Sequence, residues 1–167
     1  MPDNHIMPAA TVNWLTGVDL DGLITRNADA ATRAAFIGVY AVDTLPVRLP
    51  NLPALLIVNS DTSNLDGQHW RAIHVDCNRR GEIFDSLAVP ISPLLEAWIN
   101  RVTDKWTWSE SAIQNPFIPS CGAFVLHFIL HRLRATDLLN YRRTYYTDVI
   151  SLDYETFIRR FVRTLKK

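Results

Sequence analysis

Cys121 follows Pro119-Ser120, precedes Gly122 and opens a stretch, residues 121–134, in which apolar side chains fill almost every helical position. A helix N-terminus presents N–H groups without intrahelical acceptors and a partial positive charge, and both favour a thiolate over a thiol. Gly122 permits close approach of another backbone. Such a cysteine is either a small buried hydrophobe or a nucleophile, and its local context leaves the two readings level. A nucleophile needs a base within hydrogen-bond reach. Of the five histidines, His5 sits in the N-terminal segment. His127 and His131 lie roughly 9 and 15 Å further along the helix that Cys121 opens, at about 1.5 Å per residue. Their i,i+4 spacing would suit a metal, but no adjacent carboxylate or cysteine completes a site. His74 falls inside a strand and on the face opposite to His69, five positions away. His69, at the boundary of a polar loop and that strand, is the preferred base.

A histidine base needs an acceptor to orient it. Residues 78–81 carry turn chemistry, so the strand that starts at His69 folds back on the strand that ends at Asp85. Pairing across that hairpin brings Asp85 close to His69. Acyl transfer also needs a donor for the oxyanion. Gln114 lies seven residues before Cys121 in the preceding loop, and it gains meaning only together with the other three residues.

The elements that must position these residues follow from periodicity. Residues 12–24 carry a partial helical stripe, and residues 30–35 add a short helix. The apolar runs 36–41 and 54–59 read as buried strands, separated by a loop containing Pro46, Pro50 and Pro53. Residues 69–76 and 82–85 form the hairpin. Ser92-Pro93 opens a helix to about residue 100, and Trp106 and Trp108 alternate with polar residues as a fifth strand. The helix from Cys121 is apolar all round, hence central. Ile150, Tyr154, Phe157, Ile158, Phe161 and Val162 recur at helical spacing on a final amphipathic helix. Strands and helices without regular alternation predict an α+β fold, with the Cys121 helix packed on a sheet of about five strands.

Composition excludes several classes. A chain of 167 residues, 48% hydrophobic and 20% charged, can bury a core and is not a disordered polymer. Residues 1–10 read as a flexible arm before a single domain over residues 11–167, without the basic and apolar regions of a secretory signal. No stretch reaches the roughly 18 apolar residues of a membrane span. Two cysteines, Cys77 and Cys121, cannot staple a secreted fold or fill a four-cysteine zinc site, which points to a reducing compartment. The net charge is zero, but residues 1–66 carry −4, residues 67–131 carry −1 and residues 132–167 carry +5.

The ordered set His69-Trp70, Phe84-Asp85, Gln114 and Cys121-Gly122 resembles the adenovirus protease (adenain) family, which is related to the SUMO- and ubiquitin-like-protein proteases. Residues 36–40 and 56–59, before the Gly-containing loop into His69, are similar as well. The resemblance implies a papain-like site reached in permuted chain order on a mixed sheet. It implies His69 as general base, Asp85 as its orienting acid, Gln114 as an oxyanion donor and Cys121 as nucleophile. Adenain has Glu at the acid position, whereas the SUMO-type enzymes have Asp. The activity implied is a cysteine endopeptidase that cuts viral or Polinton-like mobile-element precursor proteins near small residues such as Gly. It needs no cofactor or metal, acts as a monomer, and works in the host nucleus or cytoplasm and in the virion. An isopeptidase for Gly-Gly-ended ubiquitin-like proteins shares the same residue set, and a capsid-associated binding protein without turnover is the reading from another class. Adenain's activating peptide is joined by a disulfide to a cysteine upstream of its oxyanion Gln. Here the neighbourhood of Thr103 and Asp104 holds no cysteine, so any peptide activator is not disulfide-linked. Adenain is also basic and DNA-stimulated, whereas this neutral chain offers DNA only its +5 terminal segment.

Overall fold

The computed structural model describes residues 15–67, 69–146 and 154–167. The expected arm over residues 1–10, the start of the first helical stripe and Ile150 lie outside the described residues. Strands β1 (Phe36–Ala41), β2 (Ala54–Asn59), β3 (Trp70–Val75), β4 (Arg80–Phe84) and β5 (Lys105–Trp108) form one sheet in sequential order. The outer pairs β1–β2 and β4–β5 are parallel, and the inner pairs β2–β3 and β3–β4 are antiparallel. The α+β class and the mixed five-stranded sheet are therefore observed.

Every residue of β2 is buried, because helices cover both faces of the sheet. Leu55 and Ile57 point to one side, where α4 (Cys121–His131) packs with α1 (Gly17–Asn27) and α6 (Tyr154–Thr164). Leu56 and Val58 point to the other side, toward α3 (Pro93–Val102). Two cores result from strict strand alternation. In the larger one, Phe84 stacks on Phe128 of α4 with ring centroids 4.8 Å apart. Tyr141 of α5 (Leu138–Tyr146) meets Phe84 edge-on at 5.7 Å.

Helix boundaries refine the sequence expectations. The first helix begins at Gly17 because Thr16 caps it reciprocally with Asp19, a capping box. Val18, counted in the apolar stripe, is 84% exposed. The central helix ends at His131 and tightens into a 3-10 turn at Arg132–Arg134, and every residue from Cys121 to Leu130 is buried. Helix α5 was not expected from the sequence. Its start is held by Asp137, whose carboxylate accepts from the Asn140 N–H at 2.7 Å. Helix α2 (Ala30–Ala35) and α3 lie where periodicity places them, with Ser92 capping α3. Phe128→Ala should empty the centre of the larger core and lower the unfolding free energy by about 3–5 kcal/mol. Denaturant titration tests this, and a loss below about 1 kcal/mol would contradict the packing described.

Candidate active site

Continuing the β3–β4 register, in which Ala72 faces Phe84, sets position 69 opposite position 87. Asp85 is then the diagonal neighbour on the same side. Nε2 of His69 lies 2.7 Å from Asp85 Oδ1. An ionised carboxylate only accepts, so Nε2 carries the proton and Nδ1 is left for another partner. Nδ1 is buried and has no hydrogen-bond partner among the described residues. The remaining influence on the ring is the Cys121 side chain, which stands close enough to interact with it. Burial lowers the His69 pKa, but the Asp85 hydrogen bond and the Cys121 sulfur outweigh burial and push it up to about 9.

Asp85 is fully buried. Its Oδ1 also accepts from the Leu87 N–H at 2.8 Å, and its Oδ2 accepts from Arg71 Nε at 2.8 Å. Burial works to raise the Asp85 carboxyl, and His69 followed by Arg71 reverses this and holds it below the ordinary range. Arg71 was not singled out in the sequence. It is almost completely buried, and its second nitrogen donates to the carbonyls of Val89 and Pro90 at 3.2 Å each. The available signal was period two: an Arg two residues after His69 shares its side of the strand and so points toward Asp85.

Cys121 is the first residue of α4 and is buried. Ser120, at the N-cap, makes no side-chain cap bond, so the leading N–H groups of the helix remain available to a ligand oxygen. The Ser120 hydroxyl donates instead to Glu155 Oε1 of α6 at 3.0 Å, and the same oxygen accepts from the Asn115 N–H at 3.0 Å. Glu155 thus ties both ends of the loop before Cys121. Gln114 lies inside that loop. Its Oε1 accepts from the Ser86 hydroxyl at 2.6 Å, and its Nε2 donates to the Ile118 carbonyl at 2.7 Å. That carbonyl also accepts from the Ser120 N–H at 2.8 Å, so the Gln114 amide stands beside the residue preceding the cysteine. One amide proton is spent on Ile118, and a second remains. Ser86, next to Asp85, accepts from the Gln114 N–H at 2.9 Å and joins the acid to the amide through one residue.

A cleft of about 690 Å³ opens at Cys121. Gly17, Gly122 and Trp70 line it beside the cysteine, and the indole N–H of Trp70 donates to the Leu15 carbonyl at 3.0 Å. A Cβ at Gly122 would lie 3.1 Å from Leu15 Cβ, so this glycine lets the Leu15 side chain pack closely against the start of α4. Gly67 adopts φ +72°, and a side chain there would also collide with the Asn59 amide. That position fixes how the loop enters His69.

The other histidines are used elsewhere. His74 Nδ1 lies 3.4 Å from Glu82 Oε2, and Arg132 grips the same carboxylate with two nitrogens at 2.6 and 2.9 Å. His127 bonds the Tyr141 hydroxyl at 2.7 Å through Nδ1 and stacks on His131 with centroids 4.1 Å apart. Burial, then His131, keeps His127 far below the usual imidazole range and therefore neutral. Cys77 is exposed at the β3–β4 turn, away from the sheet end that carries His69 and Asp85.

The mixed five-stranded sheet with a central helix carrying a cysteine at its N-terminus is similar in fold to a viral cysteine protease. The particular likeness is to the ASFV pS273R protease, with a TM-score of 0.58 and 18% identity over 91% of this chain and 68% of that one. Its selenomethionine form gives 0.58 and 18% over 91% and 69%. The central domain of the uncharacterized Lpg1148 protein from Legionella pneumophila aligns at a TM-score of 0.46 with 14% identity, over 86% of this chain and 93% of that one. This likeness concerns the fold and does not single out the adenovirus enzyme. No protein-family model and no curated protein matches the sequence.

Arg71→Met should leave the Asp85 carboxylate short of a buried partner and lower stability by about 3–5 kcal/mol. Arg71→Lys should recover only part of this, because an ammonium cannot reproduce the forked contacts to Asp85, Val89 and Pro90. Thermal and denaturant unfolding of the two variants would settle the point, and full stability of Arg71→Met would refute it.

Proposed function

We propose that the chain is a cysteine endopeptidase with Cys121 as nucleophile, His69 as general acid and base, Asp85 as the group that orients His69, and Gln114 as an oxyanion donor. The observation that carries this reading is the 2.7 Å bond from His69 Nε2 to Asp85, which leaves Nδ1 buried and without another partner beside the thiol at the helix N-terminus. The Cys121 thiolate attacks the scissile carbonyl carbon and forms a C–S bond. The carbonyl oxygen becomes an oxyanion that accepts from the Cys121 N–H and the second Gln114 amide proton. His69 passes its Nδ1 proton to the departing amine as the C–N bond breaks. A water then gives a proton back to His69 and attacks the thioester, releasing the acid and the thiol. Asp85 stays ionised throughout and holds the imidazolium.

The substrates we propose are precursor proteins of a virus or mobile element, cut near small residues. The family resemblance supports both the source and the small residues, and the fold shared with the ASFV protease supports the source. The same set of residues would serve an isopeptidase acting on Gly-Gly-ended ubiquitin-like proteins, which is the second reading. Gly-Gly-ended ubiquitin-like probes tested against a Gly-containing peptide library separate the two. Cys121→Ala should abolish cleavage with the fold retained, and Cys77→Ala should leave it intact. Full activity of Cys121→Ala would remove the assignment.

The ion pair sets the pH response. His69 is raised from 6.5 to about 9, so its protonated form adds stability that is complete below about pH 6.5 and fades as pH rises through about 9. The alkaline limb of kcat/KM should fall near pH 9 for the same reason. In Asp85→Asn the limb should move to lower pH, because the carboxylate no longer supports the imidazolium. An unmoved limb in that variant would contradict the role given to Asp85.

A further inference from the structure

The acidic front of the chain has a place in the fold. The walls of the cleft that opens at Cys121 come almost wholly from residues 15–67, the part of the sequence with the −4 excess. Among the described residues three carboxylates line it, Asp21 on α1 and Asp61 and Asp66 in the loop between β2 and His69, and no lysine or arginine does. None of the three makes an ion pair or a side-chain hydrogen bond among the described residues. Asp43, just outside, is different, since its carboxylate accepts from the Ser63 hydroxyl at 2.8 Å and the Ser63 N–H at 2.7 Å. Two apolar side chains share the rim with the free carboxylates, Val18 and Leu65, the latter 60% exposed.

Acidic side chains on a surface are common and do not make a site by themselves. What gives these three a meaning is the cavity they share with Cys121, whose side chain interacts with His69, a histidine nine-tenths buried with no hydrogen-bond partner on Nδ1 among the described residues. A peptide presented to that pair must run along the cleft, so the side chains it places there meet carboxylates and aliphatic rim together. A lysine or arginine fits both, its methylene stem on Leu65 or Val18 and its charge among the aspartates. A glutamate or aspartate there would be repelled by all three.

Resting on the protease reading above, we infer that this cleft selects substrates carrying Lys or Arg a few residues from the scissile bond, on the side of the bond that occupies it. Asp21, Asp61 and Asp66 are the specificity-determining residues. Each partly solvated pair contributes little, and three acting together should give a preference for Lys over Glu on the order of 10-fold. Salt should weaken that preference.

The experiment uses fluorescent peptides with a central Gly-Gly and Lys, Ala or Glu scanned along both flanks. Their binding to the Cys121→Ala chain is measured by anisotropy, and their cleavage by the unaltered chain is followed in parallel. On one flank, Lys should bind best, Ala next and Glu worst. The Lys-to-Glu ratio should fall to within about 2-fold in chains that also carry Asp21→Asn, Asp61→Asn and Asp66→Asn. These near-isosteric changes spare the fold, which circular dichroism checks. Equal binding of Lys and Glu peptides at every position, a preference that survives the three Asn changes, or no binding by any peptide would each overturn the inference. Its failure is separable from failure of the protease reading. Cleavage without a Lys preference sinks only the specificity, whereas a charge-dependent Lys preference in binding without any cleavage sinks only the catalysis.

Discussion

A carboxylate with no solvent exposure must be paired on nearly every lone pair or be neutralised, since an isolated buried charge costs several kcal/mol or more. Asp85 meets that demand with His69, Arg71 and the Leu87 N–H, and each partner imposes a condition on the chain. His69 must leave its loop at the strand edge, which the left-handed Gly67 allows. Arg71 must face inward, where it also pins the Val89 and Pro90 carbonyls and so fixes the segment leading to α3. The turn after β4 must bring the Leu87 N–H back to the carboxylate. The orientation of the imidazole is thus a by-product of satisfying one buried charge.

The same segment organises the opposite half of the site. Ser86 bonds Gln114 twice, through its hydroxyl and through its carbonyl, and the carbonyl also accepts from the Ile113 N–H. Gln114 holds the Ile118 carbonyl, which holds the Ser120 N–H, one residue before the cysteine. A continuous line of hydrogen bonds therefore runs from the acid to the helix that presents the thiol. Glu155 braces it from α6, so the C-terminal helix contributes to the geometry of the loop before Cys121.

These origins explain what could be read from the sequence. The proximity of His69 and Asp85 was legible because a short hairpin sets it, and strand register is a local property. The central helix was legible because a run that is apolar all round has only one place to go. Arg71 was obscured because an arginine in a strand ordinarily faces water, and only the buried acid across the hairpin reverses that expectation. Helix α5 was obscured because LLNYRRTYY is polar on average, though Leu138, Tyr141 and Tyr145 share a face under the Asp137 cap. Ser86 and Glu155 carried no local signal. Their partners are brought to them by packing between distant segments, which no spacing along the chain encodes.

Ser120 shows how stability and chemistry are divided in this fold. Serine at an N-cap ordinarily turns its hydroxyl onto the first turn of the helix and contributes about 1 kcal/mol. Here the hydroxyl goes to Glu155, and α4 is left uncapped at the one end where the fold presents a thiol. Among the described residues, the serine, threonine or aspartate at the start of α1, α2, α3 and α5 does accept from the first turn. The exception is therefore local to α4, and its cost is offset by ten consecutive buried residues that anchor the helix without help from its cap. A helix held so firmly by its core can leave its N–H groups and its positive end unsatisfied. In the proposed peptidase reaction this leaves donors already in place for an oxyanion, with no cap to displace.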